Sequence, residues 1–249
     1  MELQHPTLKN RRAFEEVLDG YQVSDDSRKI LASAPIVILS GVAGGGRNTV
    51  INYLVDHYDY KFIVSDTTRP PKLRNGVMEQ HGVNYYFRDE EDLLADLRDG
   101  KFIEAEVIHN QQVSGMSVRE VERIIATGKI PINECEFGGA NAVAHAKPDA
   151  VIIGLLPPNY QEWMRRLTSR EAISPQELRN RLVTARDVLE NMLSQSYFRF
   201  AINDSVERCA AVIDRAVRGN DDDTEAIRAK AVAGQILQEV NQHLAKAES

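Results

Sequence analysis

The chain has 249 residues, of which 43% are hydrophobic and 27% are charged, which is typical of a globular domain with room for appended helices. Thirty basic against 37 acidic residues give a net charge of −7, and no basic block is long enough to predict general nucleic-acid binding. The longest apolar runs, such as residues 151–156, are far too short to span a bilayer, so we expect no membrane insertion.

The beginning of the chain is polar and lacks the apolar core of a signal peptide. Cys135 and Cys209 are the two cysteines, and their spacing matches neither a metal site nor a CxxC pair. Two thiols in a chain without an export signal favour a reducing compartment. We therefore expect a cytoplasmic protein.

Residues 1–34 predict an N-terminal helical extension. Phe14, Val17 and Tyr21 recur at helical spacing and give one apolar face. The stretch 24–27, Ser-Asp-Asp-Ser, supplies a cap for a second short helix.

Residues 35–218 alternate short apolar runs with helical patterns, which predicts an α/β domain with a mostly parallel sheet flanked by helices. The predicted strands cover 36–40, 61–64, 130–134, 151–155 and 199–202. The predicted helices cover 47–57, 89–98, 117–127, 158–169, 175–194 and 205–217. A segment rich in proline, glycine and aromatic residues, within 68–88, interrupts this alternation and predicts a small β-rich lobe.

The C-terminal segment, 219–249, begins with a Gly-Asn-Asp-Asp-Asp break and continues as an amphipathic helix over 224–246. Two interpretations of this helix are open. It docks on the domain, or it binds a partner, including a second copy of the chain in a homodimer.

A glycine-rich turn at 40–49 lies between a predicted strand and a predicted helix, the setting in which backbone N–H groups hold phosphate. The usual pattern is G-x-x-x-x-G-K-[ST], where Lys contacts the β- and γ-phosphates and the hydroxyl binds Mg²⁺. Arg47 and Asn48 occupy the lysine and hydroxyl positions, and Thr49 is the nearest hydroxyl. The predicted phosphate-binding residues are Gly41, Gly44, Gly45, Gly46, Arg47, Asn48 and Thr49.

Two further segments add to this signal. Residues 65–72 read Ser-Asp-Thr-Thr-Arg-Pro-Pro-Lys, and residues 82–87 read Gly-Val-Asn-Tyr-Tyr-Phe. This pair resembles the GMP-binding region of guanylate kinases, and with 102–104, 115–117 and 203–204 the resemblance extends over roughly 36–217. It implies a P-loop nucleoside-monophosphate kinase fold with a GMP-binding lobe within 68–88 and a helical lid over 165–182.

The same resemblance implies the residues that bind GMP. Ser65, Arg69, Lys72 and Tyr85 would hold the monophosphate, to which guanidinium and hydroxyl groups are suited. Glu104 would accept the N1–H and N2–H₂ donors of guanine, with Ser65 and Glu134 as supporting contacts.

The resemblance also implies catalytic and metal-binding residues. Arg170 and Arg181 in the lid would join Arg47 in neutralising the transferred phosphoryl group, and Arg166 is a further candidate. The Glu134-Cys135-Glu136 stretch aligns with an Asp-x-Asp of the family, whose carboxylates would position Mg²⁺ through water or orient an arginine. Glu136 and Thr49 are the predicted metal contacts.

The chain departs from the family pattern at several positions besides Arg47 and Asn48. Lys72 stands where the family has arginine, and Arg74 is placed to compensate in part. Residues 110–114 lack a tyrosine that would contact the monophosphate. The turn after Arg69 is longer than expected, and Asn75 stands where the family tends to place glutamate.

Three functions are compatible with these features. The first is ATP-dependent phosphorylation of GMP to GDP with Mg²⁺, favoured by the retained Arg69, Glu104 and lid arginines. The second is a catalytically inactive module that binds nucleotide or protein, favoured by Arg47 and Asn48. The third is a related P-loop kinase acting on another phosphorylated acceptor.

Overall fold

A computed structural model describes residues 8–74, 76–169, 173–220 and 222–246. The helices are α1 (Arg11–Leu18), α2 (Asp25–Leu31), α3 (Arg47–His57), α4 (Glu90–Arg98), α5 (Val118–Ile125), α6 (Phe137–Ala146), α7 (Tyr160–Thr168), α8 (Pro175–Ser194), α9 (Val206–Val217) and α10 (Asp223–Lys246). The strands are β1 (Val37–Ser40), β2 (Tyr60–Phe62), β3 (Asp66–Thr67), β4 (Leu73–Arg74), β5 (Val77–Met78), β6 (Tyr86–Phe87), β7 (Phe102–Ile108), β8 (Gln112–Ser117), β9 (Ile130–Glu134), β10 (Val151–Leu156) and β11 (Phe198–Ile202).

The described residues divide into two compact units. The first unit contains the described parts of 1–35, 61–131 and 141–149, and the second contains those of 36–60, 132–140 and 150–249.

The second unit contains β1, β10, β11 and most of β9, which belong to a five-stranded sheet with the strand order β11-β10-β1-β9-β2. Strand β1 pairs in parallel with both β9 and β10, and β10 pairs in parallel with β11. All the residues of β1 and β10 are buried, as expected for strands covered on both faces. The mostly parallel sheet predicted from the alternation of apolar runs and helical patterns is confirmed.

Helix α10 packs on α8 and on strands β10 and β11, all within the second unit. Its buried positions, Ala229, Ala233, Ile236 and Val240, lie along one face at helical spacing. Ile227, near the start of the helix, is 71% exposed. The apolar face predicted from the sequence is therefore covered by the domain itself, as the docked interpretation of this helix requires.

The first unit contains a four-stranded sheet with the order β6-β3-β8-β7 and a two-stranded hairpin, β4-β5. This sheet extends beyond the lobe predicted within 68–88, because its two longest strands, β7 and β8, lie at 102–117. They form an antiparallel hairpin whose turn has positive φ at His109 and Asn110. Neither strand is among the elements predicted from the sequence.

The predicted N-terminal extension packs into the first unit. Phe14 of α1 is fully buried in a cluster with Leu93, Leu97 and Phe102. Helix α2 packs on α5, and the Ser24 hydroxyl accepts from the Ser27 amide as its N-cap. The extension therefore contributes core residues to this unit.

Helix α6 was absent from the predicted elements, because Gly138 and Gly139 at its start weaken the helical pattern. The other predicted helices and strands begin and end within a few residues of the observed bounds. Over the part of the chain that the structure describes, no helix combines the length and apolar character needed to cross a bilayer.

Candidate active site

The glycine-rich loop connects β1 to α3 in the second unit. Gly46 is the N-cap of α3 with φ +95°, a left-handed conformation in which glycine is unstrained. A Cβ atom on Gly46 would lie 2.3 Å from Nδ2 of Asn203, and one on Gly41 would lie 2.4 Å from the carbonyl oxygen of Leu155. The two glycines that keep the P-loop spacing are thus required by backbone conformation and by close packing.

Side chains from two other segments, helix α7 and the residues that follow β11, hold the loop in place. Nε1 of the buried Trp163 donates to the carbonyl oxygen of Ala43 at 2.8 Å. Nδ2 of Asn203 donates to the carbonyl oxygen of Gly45 at 2.9 Å, and Arg166 donates to the carbonyl oxygen of Asn203 at 3.1 Å. The loop is therefore preorganised with its backbone N–H groups at the beginning of α3, the end of a helix that attracts anions.

Arg47 points toward the acidic stretch 134–136 at the end of β9. Its Nε lies 3.2 Å from Glu134 and its Nη2 lies 3.0 Å from Glu136, while Nη1 donates to the carbonyl oxygen of Cys135 at 3.4 Å. The Arg47 side chain is 17% exposed and that of Glu134 is 31% exposed, whereas that of Glu136 is 69% exposed, so the contact with Glu134 is the better shielded from water. Contact with an arginine is one of the two roles predicted for the acidic pair. The other role, positioning of Mg²⁺, stays a prediction.

Asn48 contacts the same carboxylate. In the amide orientation that satisfies both groups, its nitrogen donates to the two oxygens of Glu134 at 3.0 and 2.7 Å. Burial raises the pKa of Glu134, Arg47 opposes that shift, and Glu136 adds to it. Glu134, predicted as a supporting GMP contact, thus lies between the two unusual residues of the loop.

A cavity of about 310 Å³ adjoins the loop within the second unit. It is lined by loop glycines and Thr49 on one side and by Arg166, Asn203 and Asp204 on the other. Thr49 is exposed, as its predicted role in metal binding requires.

The lid arginines are described only in part. Arg181 forms an ion pair with Glu177, one turn earlier on α8, and its side chain is 36% exposed. Arg170 lies outside the described residues. The catalytic roles of both stay predictions.

Arg69 occupies the centre of the candidate monophosphate site in the first unit. It is 5% exposed and makes a two-pronged ion pair with Glu79, at 2.5 and 3.0 Å. Its guanidinium carbon lies 4.6 Å from the centre of the Tyr85 ring, so two of the predicted GMP residues are in contact. Arg69 lowers the pKa of Glu79 to about 2, and Lys72 and Arg74 contribute further hydrogen bonds.

Glu79 is not among the residues predicted for the site. Asn75, which stands where the family tends to place a glutamate, lies outside the described residues. The structure places Glu79 against Arg69, because the additional residues of the turn form the β4-β5 hairpin and return the chain to this point. Lys72 donates its backbone N–H to Glu79 while its side chain is exposed. The sequence feature that could have predicted this contact is the glutamate ten residues after Arg69.

Ser65 and Glu104 complete the predicted GMP group, and both belong to the first unit. Ser65 immediately precedes β3 and accepts a hydrogen bond from the Tyr86 amide through its carbonyl oxygen, at 2.9 Å. Burial raises the pKa of Glu104 to about 7, Glu106 adds to the shift, and a backbone hydrogen bond from Met116 opposes it. A carboxyl group with a strongly shifted pKa is a frequent mark of a functional site.

Among the residues that the structure describes, no group of three or more His, Cys, Asp or Glu side chains is arranged to hold a metal ion. The parallel sheet, the glycine-rich loop at the end of β1 and the helix that follows define a P-loop α/β protein.

Comparison with known proteins identifies the family within this class. The sequence model of the family described as "Guanylate kinase" matches residues 33–219. The chain belongs to the guanylate kinase family.

Relatives of known name support the assignment. Guanylate kinase 1 of Arabidopsis thaliana is 33% identical over 181 residues, which cover 72% of this chain and 45% of that protein. The guanylate kinase of Bacillus anthracis is 33% identical over 187 residues, covering 74% of this chain and 87% of the bacterial protein. The chain spans about half the length of the plant relatives from Arabidopsis and rice.

A solved structure supports the fold. The crystal structure of guanylate kinase from Anaplasma phagocytophilum aligns with a TM-score of 0.52 and 24% sequence identity. The alignment covers 76% of this chain and 86% of that one.

Proposed function

We propose that this protein catalyses transfer of the γ-phosphoryl group of ATP to GMP, forming ADP and GDP. The observation that carries the proposal is the family match over 33–219, a range that contains the glycine-rich loop and the predicted GMP residues Arg69 and Glu104. The phosphate loop keeps its glycine geometry, and the guanine-binding carboxylate Glu104 is present. Transfer of this kind depends on positioning and charge neutralisation, without a covalent enzyme intermediate.

In this proposal the first unit recognises GMP. Ser65, Arg69, Lys72 and Tyr85 contact the phosphate, and the ionised Glu104 accepts hydrogen bonds from the guanine edge. The Arg69 guanidinium is held by Glu79 and keeps further N–H donors for phosphate, since it has five in all. Its ion pair with Glu79 fixes the direction of those donors before GMP binds.

The second unit binds the donor phosphates. The N–H groups at the beginning of α3 bind the oxygens, and Arg47 supplies positive charge in place of the usual lysine. For Arg47 to reach a phosphate, the phosphate must compete with Glu134 and Glu136 for the same guanidinium. Arg181 and Arg170 neutralise charge on the transferred group.

Mg²⁺ enters this proposal as the complex with ATP. Arg47, Glu134 and Glu136 together carry a net charge of −1, and the Glu136 side chain is 69% exposed. Such a site suits a hydrated cation that is held mainly by the phosphates and by one or two carboxylates. Glu136, with the exposed Thr49 hydroxyl, is the group that would contact it through water, and the ion would neutralise charge on the phosphates.

One observation favours the alternative, a catalytically inactive binding module. Arg47 and Asn48 both bind the acidic stretch at the end of β9, which leaves neither side chain committed to phosphate or metal. We favour the kinase because a domain kept only as a scaffold has no evident need for both the base-reading carboxylate Glu104 and the lid arginine Arg181.

A coupled assay of ADP release with ATP, Mg²⁺ and GMP tests the proposal on the wild type and on Arg47→Lys. We expect ADP release that requires GMP and is absent with AMP. Arg218→Lys is the matched control, because Arg218 also forms an ion pair, with Asp214 at 2.9 Å, but lies outside the loop. It should leave the rate unchanged.

Other outcomes separate the alternatives. Background turnover in both proteins, with GMP binding measured by calorimetry, contradicts the kinase proposal and supports the binding module. Large activity in Arg47→Lys with a silent wild type indicates that the loop substitution has abolished transfer. Turnover of another phosphorylated acceptor, without GMP binding, identifies a related kinase.

A further inference from the structure

Tyr21 connects the N-terminal extension to the strand that carries Glu104. Its hydroxyl donates to the carbonyl oxygen of Phe102 at 2.9 Å, and the Phe102 amide donates to the same hydroxyl oxygen at 2.9 Å. One side chain therefore satisfies both backbone polar groups of one strand residue. Tyr21 lies before the segment 33–219 that matches the family model.

Phe102 lies at an irregularity in strand β7. It is opposite Ser117 on β8, whereas Glu104 is opposite Met116. A step of two residues along β7 therefore matches a step of one residue along β8, which leaves one extra residue in β7. A bulge of this kind bends the strand and redirects the side chains that follow it. Since Glu104 is the first residue after the bulge, its direction depends on how the bulge is held.

A second contact holds the same two segments together. The Ser24 amide donates to the carbonyl oxygen of Gly100 at 3.0 Å. Gly100 has φ +65°, and a Cβ atom there would lie 2.5 Å from the Ser24 nitrogen. The segment 21–24 thus follows the segment 100–102 closely, and the Tyr21 hydroxyl has a fixed location relative to the bulge.

We propose that Tyr21 is a positioning residue for Glu104: by binding both backbone groups of Phe102, it holds the bulge in the form that directs the Glu104 carboxylate toward the guanine base. The identity of the base rests on the proposed function. The extension that precedes the family match thereby contributes to nucleotide recognition through the backbone of β7.

Several ionisable groups surround Glu104 and must be considered in any titration. Glu106 lies two residues further along β7, and it adds to the rise in the pKa of Glu104. A cavity of about 290 Å³ within the first unit is lined in part by Tyr21, Arg28, Glu104 and His145. Burial raises the pKa of Tyr21 to about 12, so this hydroxyl stays protonated at neutral pH.

Tyr21→Phe tests the proposal, because it removes the hydroxyl and keeps the ring. Tyr60→Phe is the matched control, since the buried Tyr60 donates its hydroxyl to Asp214 at 3.0 Å in the second unit. In the ligand-free protein, ¹³C NMR of the side-chain carboxyl groups should show Glu104 of the wild type titrating near pH 7. We expect this pKa to fall toward 4.5 in Tyr21→Phe, because the released carboxylate gains water, and to be unchanged in Tyr60→Phe.

Calorimetry measures the consequence for nucleotide binding. We expect GMP to bind about tenfold more weakly to Tyr21→Phe, the loss of roughly one well-placed hydrogen bond, with ATP binding unchanged. Tyr60→Phe should bind both nucleotides as the wild type does. In a Glu104→Gln background, Tyr21→Phe should weaken GMP binding by less than about twofold, because its effect passes through Glu104.

The outcomes distinguish this inference from the proposed function. If Tyr21→Phe titrates and binds GMP as the wild type does, the inference is wrong and the proposed function stands. An equal loss of GMP affinity with and without Glu104 means a structural role only, which also overturns the inference. If the wild type binds no GMP, the proposed function is wrong, and the Glu104 titration alone decides whether Tyr21 controls the carboxylate.

Discussion

Two arginines, one in each unit, are held by carboxylates of the protein itself. Arg47 contacts Glu134 and Glu136 in the second unit, and Arg69 contacts Glu79 in the first. A guanidinium can bind two carboxylate oxygens and keep other N–H donors for a phosphate. The two ion pairs differ in burial, since the Glu136 side chain is 69% exposed whereas that of Glu79 is 3% exposed.

Glu79→Gln should destabilise the protein, because it leaves the charge of Arg69 buried without its partner. Breaking a buried ion pair on one side costs about 3–5 kcal/mol, which chemical denaturation at pH 7 can measure. Glu15→Gln is the control, since the Arg11–Glu15 pair is about half exposed and its loss should cost less than about 1 kcal/mol. Equal effects of the two substitutions would contradict the structural role of the Arg69–Glu79 pair.

The pKa of Glu79 also determines how the stability difference between the wild type and Glu79→Gln depends on pH. Its value of about 2 in the folded protein lies below the ordinary 4.5, so its ionised form stabilises the folded state above pH 4.5. That contribution is lost as the pH falls from 4.5 through about 2. The difference in free energy of unfolding between the wild type and Glu79→Gln should therefore become smaller as the pH is lowered over this range.

The sequence predicted the residue types of the site better than their partners. Arg69, Glu104 and the loop glycines were identified because each belongs to a short motif of ordered spacing. Glu79 was missed because a β-hairpin of unpredicted length separates it from Arg69. The pairing of Arg47 with Glu134 was open in the sequence, since a carboxylate at the end of a strand suits either a cation or an arginine.

Among the secondary-structure elements, the strand–loop–helix unit β1–α3 was predictable. Glycines at this spacing, between an apolar run and a helical pattern, are typical of a strand–loop–helix unit. Helix α3 begins and ends at the predicted residues, 47 and 57. The hairpin β7–β8 was not predicted, because its alternating pattern ends in a polar turn, His109-Asn110, that has no glycine. Local sequence therefore predicted the strand–loop–helix unit β1–α3 but not the β7–β8 hairpin that carries Glu104.

Helix α10 offers an element-scale test of the docked interpretation. Ile236→Ala should lower the free energy of unfolding by about 2–5 kcal/mol, because the side chain is 1% exposed against the domain. Ile227→Ala on the same helix is the control, and at 71% exposure it should change stability by less than about 0.5 kcal/mol. Similar small effects from both, measured by denaturant unfolding, would mean that α10 contributes nothing to the stability of the fold.

Across the whole chain, the residues predicted to bind GMP and those predicted to bind ATP lie mainly in different units. Ser65, Arg69, Tyr85 and Glu104 belong to the first unit, whereas the phosphate loop belongs to the second. Glu134, the exception among the predicted GMP contacts, binds loop residues.

Hydrogen–deuterium exchange measured by mass spectrometry can test this separation. GMP alone should protect 65–72 and 102–104, and ATP alone should protect 41–49, because bound ligand slows local opening where it contacts the backbone. Segment 229–240 of α10 is the internal control and should exchange at the same rate with either nucleotide. Protection of 41–49 by GMP, with none at 65–72, would be incompatible with the proposed assignment.

The contacts of Glu134 also have an evolutionary consequence. Because Arg47 and Asn48 share this carboxylate, replacing either alone leaves it with fewer partners than it has now. The two loop positions and the acidic stretch should therefore change together among descendants of a common ancestor. Joint inheritance of arginine, asparagine and the paired glutamates is then the mark by which a subfamily sharing this loop can be recognised.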